Sequence, residues 1–444
     1  MKKNGNKTGK SVSAAVLVVA VTMALPFQVF ADGGARSGPA YDLETLYGMA
    51  IKKSETITIS EEQIKQAEEQ YNSARASMLP LLSFRAQELF MDTSGENAVN
   101  SSVISSPQPT VNFNLRMPIP ILSGYREMAA LDAAKTLGNQ RKLEKKRAED
   151  LIYVDVAQSF LSILSAERNI EIIRNQRKLT EDRIAELRDR ERVGRSRESE
   201  VVAVESQMAT LDASIEVLAR TAGSSREFLE YLTGCERGAA LKDDGQAPGD
   251  PGPVEKYVEA SRNRPDILAQ QESIAALQAT IDAAWAGHLP AFNANANYYL
   301  DRTGSMEPVH WDALLMVEVP IWGWGYVSAT VRDAESKKRA AELAVANTKR
   351  QAERDVIMAW GDLKASASQT PIYERAFKAA ERNYNLQNRD YKRNLVSNLD
   401  VLQALDRMNA ARQQLDLEQF RAKLARARLE VASGQLKRGK GNAQ

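Results

Sequence analysis

The sequence predicts a mainly α fold with a membrane β-barrel contribution, built from internally duplicated long helical hairpins and four strands per chain. Three observations lead there. Aromatic residues are 6% and charged residues 26% of 444 residues, with Ala, Glu, Arg and Leu prominent, a composition of long helices and not of a sandwich. The second half of the chain repeats the first. Each half also carries two runs of alternating polar and apolar residues beside its helical stretches, which is the two-residue period of a strand.

The remaining composition excludes whole classes of function. Lys and Arg number 59 against 58 Asp and Glu, a formal charge of +1, so nucleic acid, which demands a basic excess, is not an expected partner. The single cysteine, Cys235, rules out an intramolecular disulfide and a multi-cysteine zinc or iron–sulfur site. Two histidines, His288 and His310, are too few for a His-rich metal centre. Walker, His-Glu-x-x-His and nucleophile-elbow sequences are missing, and Gly323-Trp324-Gly325 lacks the third glycine of a dinucleotide loop. Neither catalysis nor a cofactor is expected.

Taken in order, residues 1–31 read as an export signal. Lys2, Lys3, Lys7 and Lys10 precede an apolar run from Val12 to Leu25, and Val29-Phe30-Ala31 places small residues at an exit site. About 14 apolar residues are short for a membrane-spanning helix and suit a signal core. Cleavage after Ala31 is expected; the alternative is an uncleaved anchor.

The repeats are expected at 32–234 and 254–436, joined by a Gly/Pro-rich connector at 235–253 and followed by a tail at 437–444. Shifted by 210 positions, Tyr47, Ala50, Ile57, Glu62, Ile64, Ala74, Leu79 and Pro80 fall on Tyr257, Ala260, Ile267, Glu272, Ile274, Ala284, Leu289 and Pro290. Farther on the shift is about 200, so that Gly194 meets Asn394 and Glu200 meets Asp400. Each half follows one plan of helix, strand, loop, strand and helical hairpin.

In the first half, Ser60-Glu61-Glu62-Gln63 is expected to open a helix as a capping box and carry it to about Met78. In the second, Pro265 suits the first helical position. Both helices stop before a Leu-Pro pair. Strands are expected at 81–90, from Thr110 to Met117, from Phe292 to Tyr298, and at 312–319, with polar loops at 93–108 and 301–310. The alternation is cleanest where Asn112, Asn114 and Arg116 oppose Val111, Phe113 and Leu115, and where Asn293, Asn295 and Asn297 oppose Phe292, Ala294 and Ala296.

Between Gly124 and Gly194 the sequence contains no proline, permitting a helix of nearly seventy residues, ~100 Å at 1.5 Å per residue. Its apolar stripe is expected to include Leu151, Val154, Phe160, Leu161, Leu164, Ile172 and Leu179. The second half repeats the helix from Tyr326 to Asn394, with a kink expected at Pro371. Return helices are expected at about 196–232 and 397–434. Helices this long must pack on long partners. Four strands cannot close in hydrocarbon, where every backbone group needs a partner, so copies must share a wall. Trp311, Trp322, Trp324 and Tyr298 cluster at strand ends, where interfacial aromatic belts lie.

The order of elements, the duplicated Leu-Pro, Arg264-Pro265-Asp266-Ile267 and the Asn394–Asp400 turn leading into Val401-Leu402-Gln403-Ala404 resemble the TolC-type outer-membrane efflux proteins. The resemblance covers about Tyr41 to Leu436. It implies a homotrimeric α/β-barrel tunnel, with a twelve-stranded barrel in outer-membrane lipid and a helical tunnel through the periplasm that docks a periplasmic adaptor and an inner-membrane transporter. Small-molecule efflux and type I protein secretion are both compatible. The alternative is a soluble periplasmic coiled-coil or adaptor-type protein.

Carried onto this sequence, the resemblance assigns adaptor contact to two hairpin turns, Val193, Gly194, Arg195 and Ser196, and Asn394, Leu395, Val396 and Ser397. Arg195 stands where relatives often have leucine. Asp400 occupies an acidic-ring position at the periplasmic entrance; Gln403 stands at the second ring position, and Glu200 is the repeat mate of Asp400. Repulsion within such a ring is expected to raise the carboxylate pKa values. Tyr391 matches a latch residue whose arginine partner is replaced by Val396.

Overall fold

The computed structural model describes residues 40–90, 110–123, 125–243, 248–303 and 307–436. The export signal, the 93–108 loop and the 437–444 tail lie outside them. The elements are α1 (Leu43–Lys53), α2 (Glu55–Ala76), β1 (Ser83–Leu89), β2 (Thr110–Ser123), α3 (Arg126–Arg192), α4 (Glu198–Thr233), α5 (Val254–Ser261), α6 (Pro265–Trp285), β3 (Ala291–Arg302), β4 (Trp311–Glu318), α7 (Tyr326–Lys392) and α8 (Asn398–Ala432). The order α-α-β-β-α-α is written twice. No helix among the described residues is long and apolar enough to cross a membrane.

Two short helices, α1 and α5, precede the expected ones. The start of α2 also differs from the expected box at Ser60. Ser54 is the N-cap, its side chain accepting from the Ile57 N–H, while the Ser60 hydroxyl donates to the Thr56 carbonyl at 2.8 Å inside the helix. Pro265 opens α6 as expected, where its missing N–H costs nothing. Both helices end before Leu-Pro, α6 through a 3-10 turn at Ala286–His288.

The strands form one antiparallel sheet in the order β1-β2-β3-β4. Ser83 pairs with Arg116, Asn112 with Arg302, and Tyr298 with Trp311. β2 runs past its expected end, through Pro118 and Pro120. It does so because its β1 partner ends at the Ser83–Arg116 pair, leaving that stretch as an edge where proline is tolerated. A bulge between Pro120 and Leu122 accompanies the second proline.

Both long helices contain 67 residues. α3 begins after Tyr125 in the left-handed region (φ 67°) and α7 after Gly325 at φ 80°. α7 passes through Pro371 without interruption, although proline has no N–H for the Ala367 carbonyl.

α3 packs against α1, α2, α4, α6 and α8, so its burial is wider than one stripe. Ile152, Val156, Ile163, Ile170, Ile173 and Leu187 are buried beside Phe160, Leu161 and Ile172, whereas Leu151 and Leu179 are exposed. One apolar core gathers Leu46, Ala50, Ile57, Val156, Ile163 and Leu229, another Val356, Leu363, Ala425 and Leu429. A third, Ile184, Leu187, Val201, Val204 and Leu402, zips the hairpin ends together; each fully buried aliphatic side chain contributes about 2 kcal/mol.

The connector is strapped down. The Tyr41 backbone N–H donates to Ala240 O and its carbonyl accepts from Lys242 N–H, both at 2.9 Å. Trp360 Nε1 donates to Gly252 O at 2.9 Å, and Tyr257 Oη donates to Pro251 O at 3.1 Å. Cys235 is buried in the first core. His288 closes the 3-10 turn, and His310 O accepts from Tyr299 N–H at 2.8 Å.

Candidate functional site

Two regions carry the residues singled out in the sequence: the ends of the helical hairpins and the two faces of the sheet. The α3–α4 and α7–α8 turns are built alike. Gly194 and Asn394 have φ values of 71° and 59°, a conformation glycine and asparagine adopt most readily. Gly194 N–H donates to Glu191 O at 2.8 Å and Arg195 N–H to Arg190 O at 2.7 Å. Asn394 N–H donates to Tyr391 O at 2.9 Å and Leu395 N–H to Asp390 O at 3.0 Å. This paired closure is a Schellman motif, which satisfies carbonyls that a helix end otherwise leaves bare. Val193 and Leu395 project, being 68% and 70% exposed; Arg195 and Ser397 are exposed and Ser196 and Val396 half-buried.

Past the second turn, Asp400 sits in the first turn of α8 in a complete capping box. Its Oδ2 accepts from the Ser397 hydroxyl at 2.6 Å and the Ser397 N–H at 2.9 Å. Those two bonds, the hydroxyl's first, hold its carboxyl below the ordinary carboxylate value. Within one chain the shift is therefore opposite in sign to that expected from a charged ring. Gln403 is exposed one turn on, on the same helix face. Glu200 is held differently, accepting from the Ser196 hydroxyl at 2.9 Å.

Tyr391 is buried. Its ring lies between the Arg183 and Arg190 guanidinium groups of α3, at 4.4 and 4.5 Å from the ring centre. Arg183 also donates to Asn388 at 3.2 Å. Tyr391 thus meets two arginines of the other repeat, while position 396 supplies none. Deeper along the hairpins, Asp406 accepts from Gln176 at 2.8 Å and from Gln207. Burial nevertheless leaves its carboxyl above the ordinary value. None of these partners was expected from the sequence. Arg183 and Arg190 stand one heptad apart on α3, a spacing that aligns them on one face without identifying what they meet.

The sheet separates by face. The register aligns Arg85, Asn112, Asn114, Arg116, Asn293, Asn295, Asn297 and Asp312 on one side. They form a polar lattice: Asn114 to Asn297 at 3.3 Å, Arg116 to Asn295 at 3.5 Å, and Asn297 and Tyr299 to Asp312 at 2.7 and 2.6 Å. The other side carries Phe84, Phe113, Leu115, Tyr298, Trp311, Leu315 and Val317, most of them exposed.

Aromatic residues bracket that apolar side. Tyr298 and Trp311 pair at the end of the sheet nearer the β3–β4 loop. Trp322 and Trp324 meet edge-to-face at 5.9 Å where β4 leads to α7, and both are highly exposed. Trp311 and Trp322 are separated by about eleven residues, at most ~37 Å of extended chain; tilted by about 40° this spans a ~25–30 Å apolar band. Among the described residues no group of three His, Cys, Asp or Glu is placed to hold a metal ion.

Comparison with known proteins agrees with this geometry. The family profile described as Outer membrane efflux protein matches residues 257–435. Outer membrane protein TolC of Vibrio cholerae serotype O1 is 23% identical over 427 residues, covering 93% of this chain and 95% of the relative. Outer membrane protein TolC of Escherichia coli K12 is 22% identical over 425 residues, covering 91% and 84%. Among solved structures, CusC aligns with a TM-score of 0.78 at 17% identity over 92% of this chain and 95% of that one. The Campylobacter jejuni CmeC outer membrane channel aligns at 0.77, with 15% identity over 90% and 87%. The profile match over the second repeat, the relatives aligned along most of the chain and the shared fold make the chain similar to the TolC-type outer membrane efflux proteins, which are non-enzymatic transport channels of the bacterial outer membrane reaching into the periplasm.

Proposed function

We propose that three copies of this chain form one duct, each contributing four strands to a twelve-stranded outer-membrane barrel and two helical hairpins to a periplasmic tunnel. The observation that carries this reading is the bare sheet. Among the described residues β1 and β4 have no outer neighbour, and an unpaired edge in hydrocarbon leaves backbone groups unsatisfied at several kcal/mol each. Pairing β1 of one copy with β4 of the next removes every edge. The Asn-rich face then lines the lumen, the apolar face meets lipid, and the aromatic pairs lie at the interfaces.

In this assembly the repeats are the segments 32–234 and 254–436, joined by 235–253. The turns at 193–196 and 394–397 form the open end that docks a periplasmic adaptor and, through it, an inner-membrane transporter. Asp400, with Glu200 as its weaker repeat mate, lines the entrance. The duct is passive: its cargo, small molecules or secreted protein, is moved by energy from the transporter. The exposed apolar face disfavours the soluble-adaptor alternative.

Mass measurement of the detergent-purified protein tests the assembly. Three copies per particle, with channel conductance in planar bilayers, are expected. A stable monomer that remains in buffer without detergent would refute it.

A further inference from the structure

The hairpin ends carry a charge pattern that helix stability does not explain. From Arg192 to Arg197 and from Lys392 to Leu399 there is no acidic residue, while Arg192, Arg195, Arg197, Lys392 and Arg393 are all present and all exposed. Among the described residues, only Arg192 of these has a carboxylate within ion-pair distance, Asp189 at 3.1 Å. Arg192, Lys392 and Arg393 lie at helix C-termini, where cations are favoured by the macrodipole. Arg195 and Arg197 do not. They precede α4, at the end of the helix that disfavours positive charge.

Arg197 is the N-cap of α4 and makes no side-chain cap. Its repeat mate Ser397 makes a complete capping box with Asp400. The same turn thus appears twice in the chain, once with the residue that stabilises the helix and once with one that forgoes the cap. A local choice made against the fold points to a function. Val193, Leu395 and Leu399 are exposed in the same turns, so each tip offers small apolar side chains beside its cations.

We infer that the hairpin tips seat a carboxylate-rich protein surface, held chiefly by Arg195 and Arg197. This deepens the reading given above and rests on its assignment of the tips to adaptor docking. Arginine suits the role, because its planar fork binds carboxylates in two-point contacts. A protein fits better than an anionic bilayer. The tip apolar side chains are isolated, the turns expose no aromatic residue, and a membrane-surface element needs a continuous apolar face. The ~100 Å length of α3 also separates the tips from the strands.

The test places a photo-crosslinking residue at Val193 in cells, purifies the protein captured, and uses it as the probe against the full-length channel in nanodiscs. Arg195→Leu with Arg197→Ser is expected to weaken binding about ten-fold and to flatten its salt dependence. The thermal stability of the channel should be unchanged or raised, since a serine at the α4 N-cap would copy the Ser397 cap. Lysine at both positions should retain most of the binding. Captured adaptor that binds both channels equally overturns this inference and leaves the docking assignment standing. Failure to capture any protein overturns both. Charge-dependent binding to phosphatidylglycerol vesicles, with no effect on the captured protein, overturns it in favour of lipid.

Discussion

At Asp400 two demands meet in one carboxylate. It caps α8 through Ser397, and in the proposed trimer it lines the entrance with its symmetry mates. The cap holds its pKa down, so its charge and its capping are present above the ordinary carboxylate range and are lost as pH falls through the lowered folded value. Cation preference in planar bilayers is therefore expected to persist to about pH 4; loss already near pH 6 would mean that repulsion between copies outweighs the cap. Asp400→Asn keeps an acceptor for the Ser397 hydroxyl and removes the charge. Reversal potentials under a salt gradient should move toward zero, and unmoved potentials would end its assignment to the entrance. Tyr391 gives a second single-residue test. Its contacts with Arg183 and Arg190 involve the ring face, so Tyr391→Phe should be near silent. Tyr391→Leu should lose about 1–2 kcal/mol, read as faster hydrogen exchange in the last turns of α7. Equal exchange in both variants would count against the clamp.

The helices show what periodicity and punctuation can and cannot reveal. The ends of α3 and α7 were legible because Gly194 and Asn394 are the residues that tolerate a left-handed turn, and because no proline interrupts the stretch before Gly194. The stripe on α3 was legible only in part, since five neighbouring helices bury several of its faces and leave Leu151 and Leu179 outside. α1 and α5, with 11 and 8 residues, are too short to establish a helical period. The opening of α2 was placed late because Ser60-Glu61-Glu62-Gln63 offers a capping pattern, while Thr56, Ile57, Thr58 and Ile59 before it are β-branched and have modest helix propensity. Packing of Ile57 into the first core overrides that propensity, and Ser54 takes the cap. The turns of the candidate site could be located from sequence and resemblance, but the Arg183–Tyr391–Arg190 contact joins elements about two hundred residues apart. The paired hairpin turns supply their own control for capping: Ser397→Ala should destabilise α8 by about 1 kcal/mol, measured by thermal melting, whereas the same change at Ser196, which is not an N-cap, should cost less. Equal losses would show that the box contributes nothing beyond the turn itself.

At the scale of the whole molecule, a buried ionic junction ties α3 of the first repeat to α6, α7 and α8 of the second. Arg264 is almost wholly buried and meets Asp266 through two nitrogens, at 3.1 and 2.6 Å. It reaches Asp355 of α7 at 3.6 Å and the Ala432 carbonyl at the end of α8 at 3.4 Å. From the first repeat, Arg147 of α3 approaches Asp266 at 3.7 Å and donates to Val431 O at 3.4 Å. The Arg264-Pro265-Asp266 run that marks the second half in sequence is thus the place where α3, α6, α7 and α8 converge. Burial by itself would raise the Asp266 carboxyl, but the Arg264 hydrogen bonds and charge, with Arg147 and the Ile267 N–H, outweigh it and leave the group below its ordinary value. A carboxyl depressed on folding stabilises the protein above its unfolded pKa of about 4 and ceases to do so as pH falls through the folded value. Asp266→Asn keeps the shape and leaves Arg264 buried with Asp355 as its remaining ion-pair partner among the described residues, a change expected to cost about 3 kcal/mol or more. Melting of the detergent-solubilised channel should show that loss at pH 7, and a smaller difference from the parent protein as the solution is acidified. A variant that melts with its parent at pH 7 would mean that the apolar cores and the other polar contacts hold the two repeats together without this junction.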